Sequence, residues 1–182
     1  MSQQWYKRGD KKGSIVMLSQ IDLAATLQSL PWFRELKHYQ IEQLTGITET
    51  RQLVRDEILY SEGERIDYLY IVLEGRIAVE NYVPGRGNVR VFTAEPLDIL
   101  GWSSLTPVVR QRESTAHAIM PTTLLCFNGE ALRQLSDQDH DLGYFIMRRL
   151  ANVVASRLLS TRLNLLDIIA CLQAERKVSL PE

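Results

Sequence analysis

The side chains best suited to acid–base, redox or metal chemistry are few in this sequence, and their spacing argues against all three. Its three histidines, His38, His117 and His140, and its two cysteines, Cys126 and Cys171, stand far apart. None falls at the short intervals by which a zinc site gathers its ligands, and two thiols cannot hold an ordinary iron–sulfur cluster unaided. In a reducing compartment both cysteines are expected as free thiols, packed as small hydrophobes. A lone histidine in a β-rich region, His117, reads first as structural, with haem ligation as the sharper alternative. No glycine-rich nucleotide loop and no nucleophile motif occurs. The expectation is a protein with no catalytic residues and no metal, not an enzyme.

Charge and composition narrow the classes further. With 21 basic and 22 acidic side chains the formal charge is −1, so no global basic excess marks a nucleic-acid binder. Hydrophobic residues make up 45% and charged residues 24% of the 182, which suits one folded domain with peripheral helices. No apolar run approaches the roughly 18 residues that cross a bilayer. The first residues, Met1–Gly13, carry Lys7, Arg8, Lys11 and Lys12 and lack the apolar stretch of a secretory signal. The expected location is cytoplasmic, with no membrane association.

The elements follow from hydrophobic period. Residues 1–17 read as a mobile arm with aromatic content at Trp5 and Tyr6. Ile21, Leu23, Leu27 and Leu30 recur at helix spacing until Pro31, and a second helix carries Leu36, Tyr39, Ile41 and Leu44 up to Gly46. From about 47 to 128 the period shortens. Runs at Ile58–Tyr60, Tyr68–Leu73, Arg76–Tyr82, Asn88–Thr93, Glu113–Ile119 and Thr122–Phe127 alternate with turn signals such as Glu74-Gly75 and Pro84-Gly85-Arg86-Gly87. This predicts an antiparallel sandwich or barrel, its last pair of strands split by Pro121. Glu130–Leu135 is read as a short helix.

A long helix is then predicted over about 139–174. Along it Met147, Ala151, Val154, Leu158, Thr161, Leu165, Ile168 and Leu172 alternate at steps of four and three, a coiled-coil seam. Leu159, Leu163, Leu166 and Ile169 form a second apolar stripe. Two apolar faces call for two partners, read as the β domain on one side and a second copy of the helix on the other. The domain is placed at 18–175, with a tail at 176–182. Too few residues follow the helix for a helix-turn-helix, so no DNA binding by the chain itself is expected.

Helices, a short-stranded β-roll and a long helix, in that order, resemble the cyclic-nucleotide-binding domain superfamily of catabolite-activator-type regulators, kinase regulatory subunits and gated channels. Asp56-Glu57-Ile58-Leu59-Tyr60-Ser61-Glu62-Gly63 is similar to the family's early strand and glycine turn. Tyr68-Leu69-Tyr70-Ile71-Val72-Leu73-Glu74-Gly75-Arg76-Ile77-Ala78-Val79 looks like its best-marked hairpin. The resemblance runs from about Leu23 to Ile169. It implies a mainly β fold with flanking helices, an antiparallel, jelly-roll-like β-roll with N-terminal helices and a long C-terminal dimerisation helix, in a stand-alone form without the helix-turn-helix domain.

The resemblance also implies a site. The family's phosphate-binding cassette is a helix turn after a glycine, followed by an arginine before the next strand; its free amides and its guanidinium close on a cyclic phosphate. The matching residues are Gly101, Trp102, Ser103 and Ser104, then Arg112 and Glu113, with Arg110 as a second guanidinium. Arg112 reads either as the anion ligand or as one half of a salt bridge to Glu113 or Glu95. The cassette is non-standard. Where the family has a glutamate that accepts from the ribose 2′-hydroxyl, this chain has Trp102, whose indole donates only. Glu113 replaces a small residue and would repel a phosphate if it pointed inward, and Leu97 and Asp56 stand where glycines are frequent. The function implied is a dimeric sensor or regulatory domain that takes an anionic or planar small molecule, a cyclic nucleotide or another small anion, and signals through the long helix to an unidentified protein partner. The alternative is a dimeric interaction scaffold with a degenerate pocket.

Overall fold

In the computed structural model the described residues are 20–65, 67–106 and 111–178, with side chains described from 23 to 170 within them. The arm at 1–17, Arg110, and the residues after 178 lie outside them, as do the side chains of Cys171 and Leu172. Two helices, α1 (Gln20–Ser29) and α2 (His38–Thr45), flank a single 3-10 turn at Pro31–Phe33. Among the described residues eight strands follow: β1 (Thr48–Leu53), β2 (Ile58–Tyr60), β3 (Tyr68–Glu74), β4 (Ile77–Val83), β5 (Gly87–Ala94), β6 (Ile99–Leu100), β7 (Thr115–Ala118) and β8 (Thr122–Asn128). A second 3-10 turn, Trp102–Leu105, separates β6 from β7, and α3 (Gly129–Gln138) and α4 (His140–Val178) close the fold.

The strands form two four-stranded antiparallel sheets, ordered β1-β8-β3-β6 and β2-β7-β4-β5. β7 and β8, neighbours in sequence and expected as a pair, belong to different sheets. β7 pairs with β2 and β4, whereas β8 pairs with β1 and β3. Pro121, in the turn between them, has no N–H for a ladder, and the chain crosses from one sheet to the other there.

The sheet containing β3 and β8 is covered on both faces, which explains their nearly unbroken apolar sequences. Leu69, Ile71, Leu125 and Phe127 face the helices, in one cluster with Leu27, Phe33, Leu44, Leu142 and Leu150. Tyr70, Val72, Leu124 and Cys126 face the roll interior, against Tyr60, Ile77, Val79 and Ala116 of the second sheet.

α4 is tied to the body at its start and leaves it later. Asp139 caps it, accepting from Leu142 N at 3.0 Å, while its other oxygen accepts from Tyr39 at 3.0 Å and Gln40 at 2.9 Å of α2. Gly143 lets α3 and α4 close up, since a Cβ there would sit 2.5 Å from the Ser136 carbonyl oxygen. Leu142, Phe145 and Leu150 are buried on the body, with Ile146 and Val153 packed beside them. From Leu158 to Ala170 every position is exposed. The second stripe therefore does not pack on the roll as the sequence suggested. At 39 residues, about 58 Å at roughly 1.5 Å per residue, the helix outruns the roll. It also passes the expected end near 174 and reaches Val178, because no breaker precedes Pro181.

Candidate functional site

The site starts from a glycine. β6 pairs Leu100 with Tyr70, and the chain then turns through Gly101 at φ +69, in the left-handed region. A Cβ on Gly101 would lie 2.4 Å from the Tyr68 carbonyl oxygen and 2.6 Å from Nη1 of Arg112. Glycine is needed twice over: for its φ, and because the Arg112 guanidinium is stacked directly against its backbone.

Arg112 is held just before β7 by two 2.8 Å backbone bonds, donating its N–H to Glu64 O and accepting from Gly63 N. Its side chain is only 6% exposed. Nη2 donates to Tyr68 O at 2.8 Å, and Cζ lies 4.4 Å from the Tyr60 ring centroid and 5.7 Å from that of Tyr70. Nε is buried and finds no partner among the described residues. Neither alternative salt bridge forms. Glu95 pairs with Arg76 at 2.9 Å, and the Glu113 side chain is exposed, its carbonyl oxygen accepting from the Asn81 amide. The exposed carboxylate of Glu113 thus makes no ion pair with the Arg112 guanidinium.

Around Arg112 stands a tyrosine wall. Tyr60 and Tyr70 stack with ring centroids 6.1 Å apart, and Tyr68 lies 6.2 Å from Tyr70. Burial pushes the Tyr60 hydroxyl above its usual range, with Arg112 and then Arg157 pulling the other way. Burial also raises Tyr70, again opposed first by Arg112. Cys126, opposite Tyr70 in the ladder, is pushed up by burial to about 12. It is a thiol at neutral pH and no nucleophile.

The remaining cassette residues turn elsewhere. Trp102 packs against the helix-side cluster and not into the roll interior, so its ring does not enter the site as its position in the motif suggested. Ser103 is half-buried, and its carbonyl oxygen accepts from Thr106 N and Oγ1. Ser104 donates its N–H to Gly101 O, and its carbonyl oxygen accepts from Arg133. The Ser104 hydroxyl is buried without a partner among the described residues and faces Gly129, where a Cβ would lie 3.1 Å from it. Gly101 and Arg112 are brought together; Trp102 and Ser104 point away from them, and Glu113 is exposed. His117 lies 3.9 Å from Glu80, and among the described residues no three His, Cys, Asp or Glu side chains gather as metal ligands.

Sequence reasoning missed three side chains. Tyr60 and Tyr70 look like ordinary core residues of their strands; their only signal was a hydroxyl at inward positions that Leu or Val would fill. Arg157 follows Val153 by one helical turn on the body-facing side of α4. Its guanidinium carbon lies 3.0 Å from the centroid of Phe92, a ring packed on the roll interior, and it pairs with Asp98 at 3.4 Å.

The comparisons agree with this fold. The family model for the cyclic nucleotide-binding domain matches residues 50–139, and the fold is that of the cyclic nucleotide-binding β-roll. A relative described as a potassium channel protein of Rhodopseudomonas palustris is 27% identical over 154 residues, 84% of this chain but only 35% of that protein. A structure described as a cyclic nucleotide-binding protein of Geobacter metallireducens superposes with TM-score 0.64 at 26% identity, covering 78% of this chain and 99% of that one. The cyclic nucleotide-binding domain of Methylobacillus flagellatus gives 0.68 at 22% identity, with 81% and 83% covered. The sensor domain of the transcriptional regulator DNR of Pseudomonas aeruginosa gives 0.62 at 21% identity, with 76% and 93% covered. The last two show the fold alone.

Proposed function

We propose that this chain is a non-enzymatic cytoplasmic regulatory module in which the roll takes an anionic, planar small molecule at Arg112 and the long helix of a homodimer carries the response to a protein partner. One observation carries the reading. A guanidinium is buried between two tyrosines, pairs with no carboxylate among the described residues and keeps an unpartnered Nε–H. An unneutralised buried charge is costly, and an anion in the roll would relieve it with a charge-assisted bond. The tyrosine rings supply faces for a planar ligand. A ribose would find no carboxylate after Gly101, so the preferred anion need not be a nucleotide. The scaffold reading has its own support, because Arg112 is already engaged by Tyr68 O and by Tyr60.

Thermal unfolding with cyclic AMP and cyclic GMP tests the choice. Ligand at about 100 times its dissociation constant adds roughly 2.7 kcal/mol, or about 5–10 °C for a chain of this size. A shift that Arg112→Gln removes supports the sensor. If neither nucleotide, and no small aromatic phosphate, gives a shift that Arg112→Gln removes, the scaffold reading replaces it.

A further inference from the structure

The face of α4 that leans over the body changes character partway along. Leu142, Phe145 and Leu150 are buried on it and Val153 packs beside them, but beyond Val153 it is polar where it still overhangs the roll, at Ser156 and Arg157. Arg149, Asn152, Ser156 and Arg157 of this face, with Trp32 from the first 3-10 turn and Asp98 from the turn before β6, line a groove of about 330 Å³. That volume is within the usual range for small-ligand sites.

The groove is electropositive in its chemistry. Glu35 is shared between Arg148 and Arg149, at 2.7 and 2.9 Å, and Asp98 serves Arg157 at 3.4 Å. Three guanidiniums thus meet two carboxylates. Arg149 also lies 5.9 Å from the Trp32 ring centroid, and its buried Nε–H has no partner among the described residues. Burial lowers the pKa of Arg157, with Asp98 opposing, as for a cation short of countercharge.

Position matters as much as charge. At about 100° per residue, Ser156 lies roughly 180° around the helix from the seam of Ala151, Val154 and Leu158. A partner helix on that seam would leave the groove open.

We propose that this groove is a second binding site, separate from the roll, for a small aryl phosphate. The phosphate lies between Arg149 and Arg157 with Asn152 and Ser156 as further donors, and the aromatic ring lies on Trp32. Binding draws on the same Arg157 guanidinium that rests on Phe92 and Asp98, so occupancy of the groove is felt at the rim of the roll.

Calorimetry of the full chain with phenyl phosphate tests this. The wild type and Arg112→Gln should bind alike, because the roll arginine takes no part. Ser156→Trp fills the groove from an exposed position, and Arg157→Gln removes one cation. Each should weaken binding by roughly ten- to a hundredfold, the range of a charge-assisted contact. Asp98→Asn should tighten binding by freeing Arg157, which a merely structural role for that pair would not do. No binding by the wild type, an unchanged affinity in Ser156→Trp, or a loss confined to Arg112→Gln would each overturn the proposal. The last result would move the ligand into the roll and leave the sensor reading intact, whereas groove binding without any response to cyclic nucleotides would do the reverse.

Discussion

Leu97 and Asp56 occupy left-handed backbone, at φ +75 and +66, where the resemblance to cyclic-nucleotide-binding domains implies glycine. Asp tolerates that region through local hydrogen bonding, but leucine does not, and its Cβ crowds the carbonyl oxygen at about 1–2 kcal/mol. The strain persists because Leu97 N donates to Val72 O at 2.8 Å and fixes the turn before β6. Leu97→Gly should therefore stabilise the chain by about 0.5–1 kcal/mol after the greater unfolded-state entropy of glycine is counted. Differential scanning calorimetry should show a midpoint about 1–4 °C higher; a lower midpoint would mean that the half-exposed leucine side chain contributes more than its backbone costs. Cassette strain is thus tunable without touching Arg112.

Among elements, the attachment of α4 decides how far the roll can move it. Asp139 holds the helix start to α2, and its carboxyl is kept below the usual range, first by the bond from Leu142 N and then by Gln40. A carboxylate with a lowered folded pKa stabilises above the ordinary aspartate value and loses that contribution as pH falls through the lowered one. Asp139→Ala should cost about 1 kcal/mol at pH 7, the typical worth of an N-cap. Urea midpoints of wild type and Asp139→Ala should converge as the pH falls through the lowered aspartate value; a constant gap would show that the carboxylate charge is not what matters. The same elements show what a sequence makes legible. The β3–β4 hairpin was readable because apolar runs meet at Glu74-Gly75, and α4 because its period is sustained. β6 is two residues long and offers no period at all. The pairing of β7 was missed because a turn at Pro121 can fold a hairpin or change sheets with the same residues. The direction of Trp102 depends on the backbone of one glycine, and Arg157 depends on where a helix overhangs a roll, so neither had a one-dimensional signature.

On the scale of the whole molecule, the projecting half of α4 carries two apolar stripes. Leu158, Leu165 and Ile168 of the first stripe are 68%, 55% and 57% exposed, and Leu159, Leu163 and Leu166 of the second are 59%, 53% and 52% exposed. Both stripes are therefore bare in one chain, and exposure alone does not choose between them. Spacing does. The first stripe continues the alternating steps of four and three back to Met147, as a two-stranded coil requires, whereas the second begins only at Leu159. Burying a leucine contributes about 1.5–3 kcal/mol, so Leu158 and Leu165 from two helices supply enough to hold a dimer with the neighbouring seam residues. Leu158→Glu with Leu165→Glu would place like charges in that seam and should give monomers by light scattering. Leu159→Ser with Leu166→Ser should leave the dimer intact, since those side chains lie well around the helix from the seam. If the second pair dissociates the protein and the first does not, the helices meet on the other stripe, about 140° around, and each roll would then face its partner from the opposite side of α4. A monomeric wild type would remove the dimer from the proposed function and leave the helix to be covered by a different protein.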